Sequence, residues 1–222
     1  MIGILGGMGP QATVDALDKL IKHTDAQCDQ EHIPTITVSI PDIADRTTAI
    51  QNNSDAPLLK MVEYIKILER TPVTCVIIPC NTAHYWLPQL QRKTRLPIIS
   101  IVDATVAAIK TDSVCILGTT GTLETNLYQT ACYKKGIAYT TPSAVLQKQI
   151  MQSIYAYKAG RVQQAKQQMK AVLHQLNAKQ YILACTEIPL ILADEPAEKF
   201  IDSTAQLVKS AIHWYQTKQQ VA

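Results

Sequence analysis

Short apolar runs alternate with longer amphipathic stretches along the whole chain. Runs at 2–5, 33–40, 74–79, 97–101, 113–117, 137–140, 180–184 and 199–201 have strand length, which predicts eight buried strands. Between them, helical spacing predicts helices over 10–24, 55–70, 83–93, 103–110, 122–134, 144–176 and 202–218, the long one broken at Gly160. The last carries a stripe of Ala205, Val208 and Ile212 beside Leu207, Ala211 and Tyr215, set against Lys209 and Gln216. Alternation of this kind predicts an α/β fold with parallel sheets flanked by helices.

Three elements recur in the same order. Leu5-Gly6-Gly7-Met8-Gly9, followed by Thr13, is echoed by Leu117-Gly118-Thr119-Thr120-Gly121, followed by Thr125. Cys80-Asn81-Thr82 is echoed by Cys185-Thr186-Glu187, and Ile101-Val102-Asp103-Ala104-Thr105 by Phe200-Ile201-Asp202-Ser203-Thr204. This weak duplication predicts two similar, pseudo-symmetric lobes with the active site in the cleft between them. The expected division is residues 1–101 for the first lobe and 102–204 for the second. A terminal helix over 205–222 is expected to pack back on the first. Asp103 and Asp202 read as N-caps.

Composition narrows the class. An apolar fraction of 47% and a charged fraction of 18% over 222 residues are those of a globular protein with ample core. A net charge of +3, with no basic stripe, argues against nucleic acid. No apolar stretch is long enough to cross a bilayer, and the N-terminus enters a strand without a basic leader, so no membrane and a cytoplasmic location are expected. In that setting the six cysteines are expected to be reduced. Cys75 and Cys115 read as small buried hydrophobes; Cys28 and Cys132 have no partner pattern. The absence of a Cys-x-x-Cys pair and the scatter of the histidines argue against a metal site.

Four of the eight glycines fall within the first nine residues. Such crowding implies a tight turn or a close backbone approach, and a loop whose N–H groups face an anionic small molecule is the economical reading. Gly7-Met8-Gly9-Pro10-Gln11-Ala12 also satisfies a dinucleotide fingerprint, but Asp29 and Glu31 precede the second strand instead of ending it, which disfavours a nicotinamide oxidoreductase. Cys80 and Cys185 are sharper signals. Each thiol falls at the carboxyl end of a buried strand, where open α/β sheets do chemistry. An unperturbed thiol is only about 3% thiolate at pH 7, and a helix N-terminus would make it a more usable base. Two thiols facing one carbon could exchange a proton across it.

Ile4-Leu-Gly-Gly-Met-Gly-Pro-Gln-Ala-Thr13, Asp45-Arg46-Thr47, Ile78-Pro-Cys-Asn-Thr-Ala-His84 and Cys185-Thr-Glu-Ile-Pro189 together resemble the aspartate/glutamate racemase family. The likeness is to its aspartate racemase and broad amino-acid racemase branch, and Tyr155-Ala-Tyr-Lys-Ala-Gly160 carries it through nearly the whole chain. The resemblance implies a homodimeric, pyridoxal-phosphate-independent enzyme with neither cofactor nor metal, interconverting L- and D-aspartate, or glutamate. It makes Cys80 and Cys185 the catalytic pair. It also implies substrate binding by Arg46, Asn81, Thr82, Ala83, Thr120, Thr122, Lys158 and Thr186, with Arg46 and Lys158 on a distal carboxylate. Glu187 stands where the glutamate branch has histidine, Met8-Gly9 replaces Asp-Ser, and Ala184 replaces a glycine. His84 reads as a capping or packing residue. The alternatives are a broad-specificity racemase of the same fold and a non-catalytic amino-acid-binding protein.

Overall fold

The structure, a computed structural model, describes residues 1–219. The first lobe runs β1 (Ile2–Gly6), α1 (Pro10–His23), β2 (Thr35–Ser39), α2 (Arg46–Gln51), α3 (Ala56–Leu68), β3 (Cys75–Ile77), α4 (Leu87–Gln91), β4 (Ile98–Ile99) and α5 (Ile101–Ala107). The second runs β5 (Ser113–Gly118), α6 (Thr120–Glu124), α7 (Leu127–Lys134), β6 (Ala138–Thr140), α8 (Ala144–Lys158), α9 (Val162–Leu173), β7 (Tyr181–Ala184), α10 (Ile188–Ile191) and β8 (Phe200–Asp202). The last helix, α11 (Ser203–Gln219), closes the described chain; the final residues of the helix expected over 205–222 lie outside the described residues.

Each sheet has four parallel strands, ordered β2-β1-β3-β4 in one and β6-β5-β7-β8 in the other. The identical order is the structural form of the repeat. In both, the first strand pairs with its successor on one side and the third on the other (Ile2 against Thr35 and Cys75; Cys115 against Thr140 and Tyr181). The carboxyl ends of β1 and β3, and of β5 and β7, therefore flank the point where strand order reverses, and open α/β folds place sites there.

Successive strand side chains point to opposite faces, and in the central strands β1, β3, β5 and β7 both faces are covered, which explains why these read as apolar runs while the edge strands β2 and β6 are partly or wholly exposed. Ile2, Ile4, Cys75, Ile77, Val114, Ile116, Ile182 and Ala184 point inward to one core shared by the two lobes. Leu5, Val76 and Ile78 point outward under α3 and α4, in a second core with Met61, Ile65 and Trp86. Cys115, Leu117, Tyr181 and Leu183 do the same under α8 and α9. Helix α11 packs chiefly on α1 and α5, yet also reaches β3 and β4 of one sheet and β7 and β8 of the other.

Several local expectations are corrected. Ser100, not Asp103, caps α5: its Oγ accepts the Asp103 N–H at 3.1 Å, so the helix starts at Ile101. Asp202 does cap α11, accepting from the Thr204 and Ala205 amides at 2.9 and 3.1 Å. The helix expected over 122–134 divides into α6 and α7 because Asn126 is left-handed (φ 54). That expected over 83–93 begins as a 3-10 turn, Thr82–Trp86. Helix α2 lies where the pattern predicts no helix, while the four-residue α10 is the turn into a helix that the residues after Cys185 suggest. Gly7 has φ 92, and a Cβ there would lie 2.1 Å from the Ile40 nitrogen. Its amide donates to Thr13 Oγ1 at 2.8 Å, so the close approach is to protein, and this amide does not face a ligand.

Candidate active site

Beyond β3 the chain turns sharply, with the Cys80 amide donating to the Ile78 carbonyl at 2.7 Å, before entering the 3-10 turn. His84 fixes that bend. The Ile101 N–H donates to its Nε2 at 3.1 Å, so Nδ1 carries the proton and donates to the Cys80 carbonyl at 2.8 Å. Burial pushes the ring's pKa down to about 4, so it is neutral at pH 7 and acts as a structural tie. Cys185 directly follows β7, and its carbonyl accepts the Ile188 N–H at 3.0 Å at the start of α10. Both thiols are buried, Cys80 at 5% and Cys185 at 4% exposure.

The two cysteines line one cavity, each reaching it from its own lobe. Helix α2 supplies Arg46, buried at 8% exposure. Its Nη1 donates to the Ile43 and Ala44 carbonyls at 3.1 and 3.2 Å, and Nη2 to the Met8 carbonyl at 3.2 Å. The Nε–H and one Nη2 hydrogen make no hydrogen bond to protein among the described residues. Asp45 caps α2 by accepting the Thr48 N–H at 2.9 Å and its hydroxyl at 3.0 Å. Burial works to raise the Asp45 carboxyl, but those bonds and the Arg46 and Lys158 charges hold it below its ordinary value.

The second lobe supplies Lys158, at the end of α8, and the turn after β7. Lys158 Nζ lies 3.4 Å from Glu187 Oε1. Glu187 Oε2 accepts the Cys185 thiol at 3.1 Å and the Thr186 hydroxyl at 3.3 Å. Burial and then the Glu187 charge push the Cys185 thiol well above its ordinary pKa, against the pull of Lys158. Burial would depress the Lys158 ammonium, but the charges of Glu187 and Cys185 outweigh it and the net shift is upward.

Of the residues expected at the site, Cys80, Cys185, Arg46, Asn81, Thr82, Lys158 and Thr186 line this cavity. Asn81 is also tied to the scaffold, with Nδ2 donating to Ser203 Oγ at 3.0 Å and Oδ1 accepting from the Tyr128 hydroxyl. Thr82 meets Thr119 and Thr122 across the lobes at 2.8 and 3.0 Å. Thr122 lies behind that contact, fully buried. Ala83 sits in the core beneath α4, and Thr120 faces a separate hollow beside Gln147 and Met151. Thr119, from the 119–122 turn that the resemblance marks for anion-stabilising donors, completes the wall with Met8, Asp45, Thr47 and Glu187, which were not among the expected site residues. Thr119 had a signal, as the repeat counterpart of Gly7; Glu187 had one in its spacing after a strand-end cysteine. Among the described residues no group of three or more His, Cys, Asp or Glu is arranged to hold a metal ion, and no helix is long and apolar enough to cross a membrane.

Two like lobes, each offering a cysteine to one cavity with an arginine and a lysine in its wall, define a two-lobe fold of the racemase class. The chain belongs to the Asp/Glu/hydantoin racemase family, whose sequence profile matches residues 5–211. It is 29% identical to the broad-specificity amino-acid racemase RacX of Bacillus subtilis, over 97% of this chain and 98% of that one. Over 60% of this chain and 94% of the other, it is 38% identical to a Pectobacterium carotovorum protein described as uncharacterized. The fold superimposes on Picrophilus torridus aspartate racemase with a TM-score of 0.84 at 29% identity, covering 96% of this chain and 94% of that one.

Proposed function

We propose that the protein is a pyridoxal-phosphate-independent racemase interconverting L- and D-aspartate, with glutamate as a further substrate, by proton transfer between Cys80 and Cys185. The observation that carries this reading is the convergence of two thiols from opposite lobes on one cavity beside Arg46 and Lys158. One cysteine, as thiolate, takes the α-proton. The electron pair left behind spreads from Cα into the α-carboxylate. The other cysteine, as thiol, delivers a proton to the opposite face, and the two have then exchanged states.

Asn81 keeps one Nδ2 hydrogen beyond its bond to Ser203, a side-chain donor in the cavity wall suited to a developing anion, whereas the Thr82, Thr119 and Thr186 hydroxyls beside it are bonded to one another or to Glu187. The two remaining Arg46 donors suit one carboxylate, and Lys158 adds a point charge. The cavity measures about 20 Å³, roughly room for one water, so an amino acid is admitted only when its wall gives way.

A second reading, broad amino-acid specificity, is favoured by the Lys158–Glu187 pair. With Lys158 already balanced by a carboxylate, the demand for an acidic side chain falls mainly on Arg46. Incubating a panel of enantiopure amino acids with the protein in deuterated water, without added pyridoxal phosphate, tests both. The expected result is deuterium at Cα with loss of optical purity, fastest for aspartate; a wider set of labelled amino acids would select the second reading. Retained configuration and no label across the panel would overturn the racemase proposal. Cys80→Ser and Cys185→Ser should each reduce exchange below about one hundredth, the span of a lost acid–base group.

A further inference from the structure

The repeat that makes the two lobes alike breaks at both residues that follow the thiols, and the second difference brings in a charge. Cys80-Asn81-Thr82 corresponds to Cys185-Thr186-Glu187, so the residue two beyond the thiol is a threonine in one lobe and a glutamate in the other. Thr82 spends its hydroxyl on Thr119 and Thr122. Glu187 turns its carboxylate onto its own cysteine, with Oε2 at 3.1 Å from the sulfur. The carboxylate is 3% exposed and held from the other side by Lys158 at 3.4 Å. Gly9, from the first lobe, lies against it: a Cβ there would stand 3.4 Å from Glu187 Oε1.

We infer that Glu187 is a positioning residue that keeps the proton on Cys185 and so makes the two thiols unequal. This inference rests on the racemase reading of the cavity. A carboxylate in hydrogen-bond contact accepts the thiol proton and opposes a second negative charge on the sulfur. The resting protein then holds Cys185 as the acid, ready to protonate a carbanion formed by Cys80. For the opposite enantiomer Cys185 must be the base, and Glu187 is the group that can receive its proton. The S–H bond breaks, an O–H bond forms on Oε2, and the sulfur keeps the electron pair. One negative charge is present before and after, and it stays beside Lys158 throughout. The other charged and titratable groups in these surroundings are Arg46 and Asp45 on α2, Tyr155 and Tyr157 on α8, and Cys80.

The test compares the full-length protein with Glu187→Gln and Glu187→Asp. Iodoacetamide alkylation is followed against pH, with peptide mapping to read Cys185 and Cys80 separately. Glu187→Gln removes the like charge while keeping a side chain of similar shape. The Cys185 alkylation profile should move down by about one pH unit, or about tenfold more thiolate at a given pH, while Cys80 stays within about threefold. In α-proton exchange, Glu187→Gln should lose about 10- to 100-fold in kcat with KM changed less than about threefold, and Glu187→Asp should recover part of the loss. A Cys185 profile that superimposes on the parent, or a Cys80 profile that moves equally, overturns the inference. If Glu187→Gln fails to fold, Glu187→Asp must still shift the Cys185 profile, and an unmoved profile is equally decisive against it. Failure of the parent protein to exchange any α-proton would instead strike the racemase reading, because alkylation reports on the Cys185–Glu187 contact without turnover.

Discussion

Arg46 is held by three backbone carbonyls, from residues 43, 44 and 8, so its guanidinium is aimed before any ligand arrives. A lysine has the charge but neither the planar fork nor enough donors to keep those bonds and also grip a carboxylate. Arg46→Lys is therefore expected to raise KM for aspartate by about 10- to 100-fold, the span of a lost charge-assisted hydrogen bond. For alanine, as substrate or competitive inhibitor, the change should stay below about threefold. Steady-state kinetics on the two ligands decide it, and equal effects would remove the distal-carboxylate role. The cysteine pair was legible in the sequence because it recurs within a repeat. The Arg46 geometry was not, because its acceptors come from separate segments that only the fold brings together. The same holds for Lys158 and Glu187, which meet between the end of α8 and the turn after β7.

At the scale of elements, the central strands β1, β3, β5 and β7 were the most legible feature because burial on both faces leaves them largely apolar. Short helices were least legible. The six-residue α2 is too short to show a periodic stripe and depends on the Asp45 cap, while α6 and α7 are separated by one left-handed residue. Yet α2, which lends Arg46 and Thr47 to the cavity wall, meets α6 of the second lobe directly. Gln51 donates to Glu124 between them at 3.1 Å, and Gly121 abuts Thr47 so closely that a Cβ would meet the Thr47 Cα at 3.0 Å and Thr82 Cγ2 at 3.1 Å. The first of these is backbone and cannot swing aside, so a larger residue must push α2, and Arg46 with it, away from the second lobe. Gly121→Val should lower kcat/KM for aspartate by about 100-fold, the scale of a misplacement near 1 Å, with unchanged far-UV circular dichroism. Parent-like kcat/KM would mean that this contact does not set the closed geometry.

The whole molecule is tied by a core that belongs to neither lobe alone. Leu207, Val208 and Ala211 of α11 are fully buried in it, packed with Ile2, Ile4 and Ile101 on one side and Ile116, Tyr128 and Ile182 on the other. Asp202, at the head of the same helix, pairs with Lys19 of α1 at 2.8 Å. Such sharing predicts that the lobes lose structure together, although each has a sheet and an outer core of its own. The lobes carry native reporters: Cys75 is buried in the first sheet, and Cys115 and Cys132 are buried in the second lobe. Leu207→Ala should cost about 2–5 kcal/mol, since the cavity it opens is enclosed on all sides. The urea midpoints for alkylation of Cys75 and Cys115 should fall by the same amount and remain coincident, as followed by peptide mapping across a denaturant series. Separate midpoints, with one thiol exposed while the other stays protected, would show two lobes that fold independently. In that case the alignment of Cys80 with Cys185 would rest on the contact between α2 and α6 alone, whereas coincident midpoints assign it to the helix buried between the sheets.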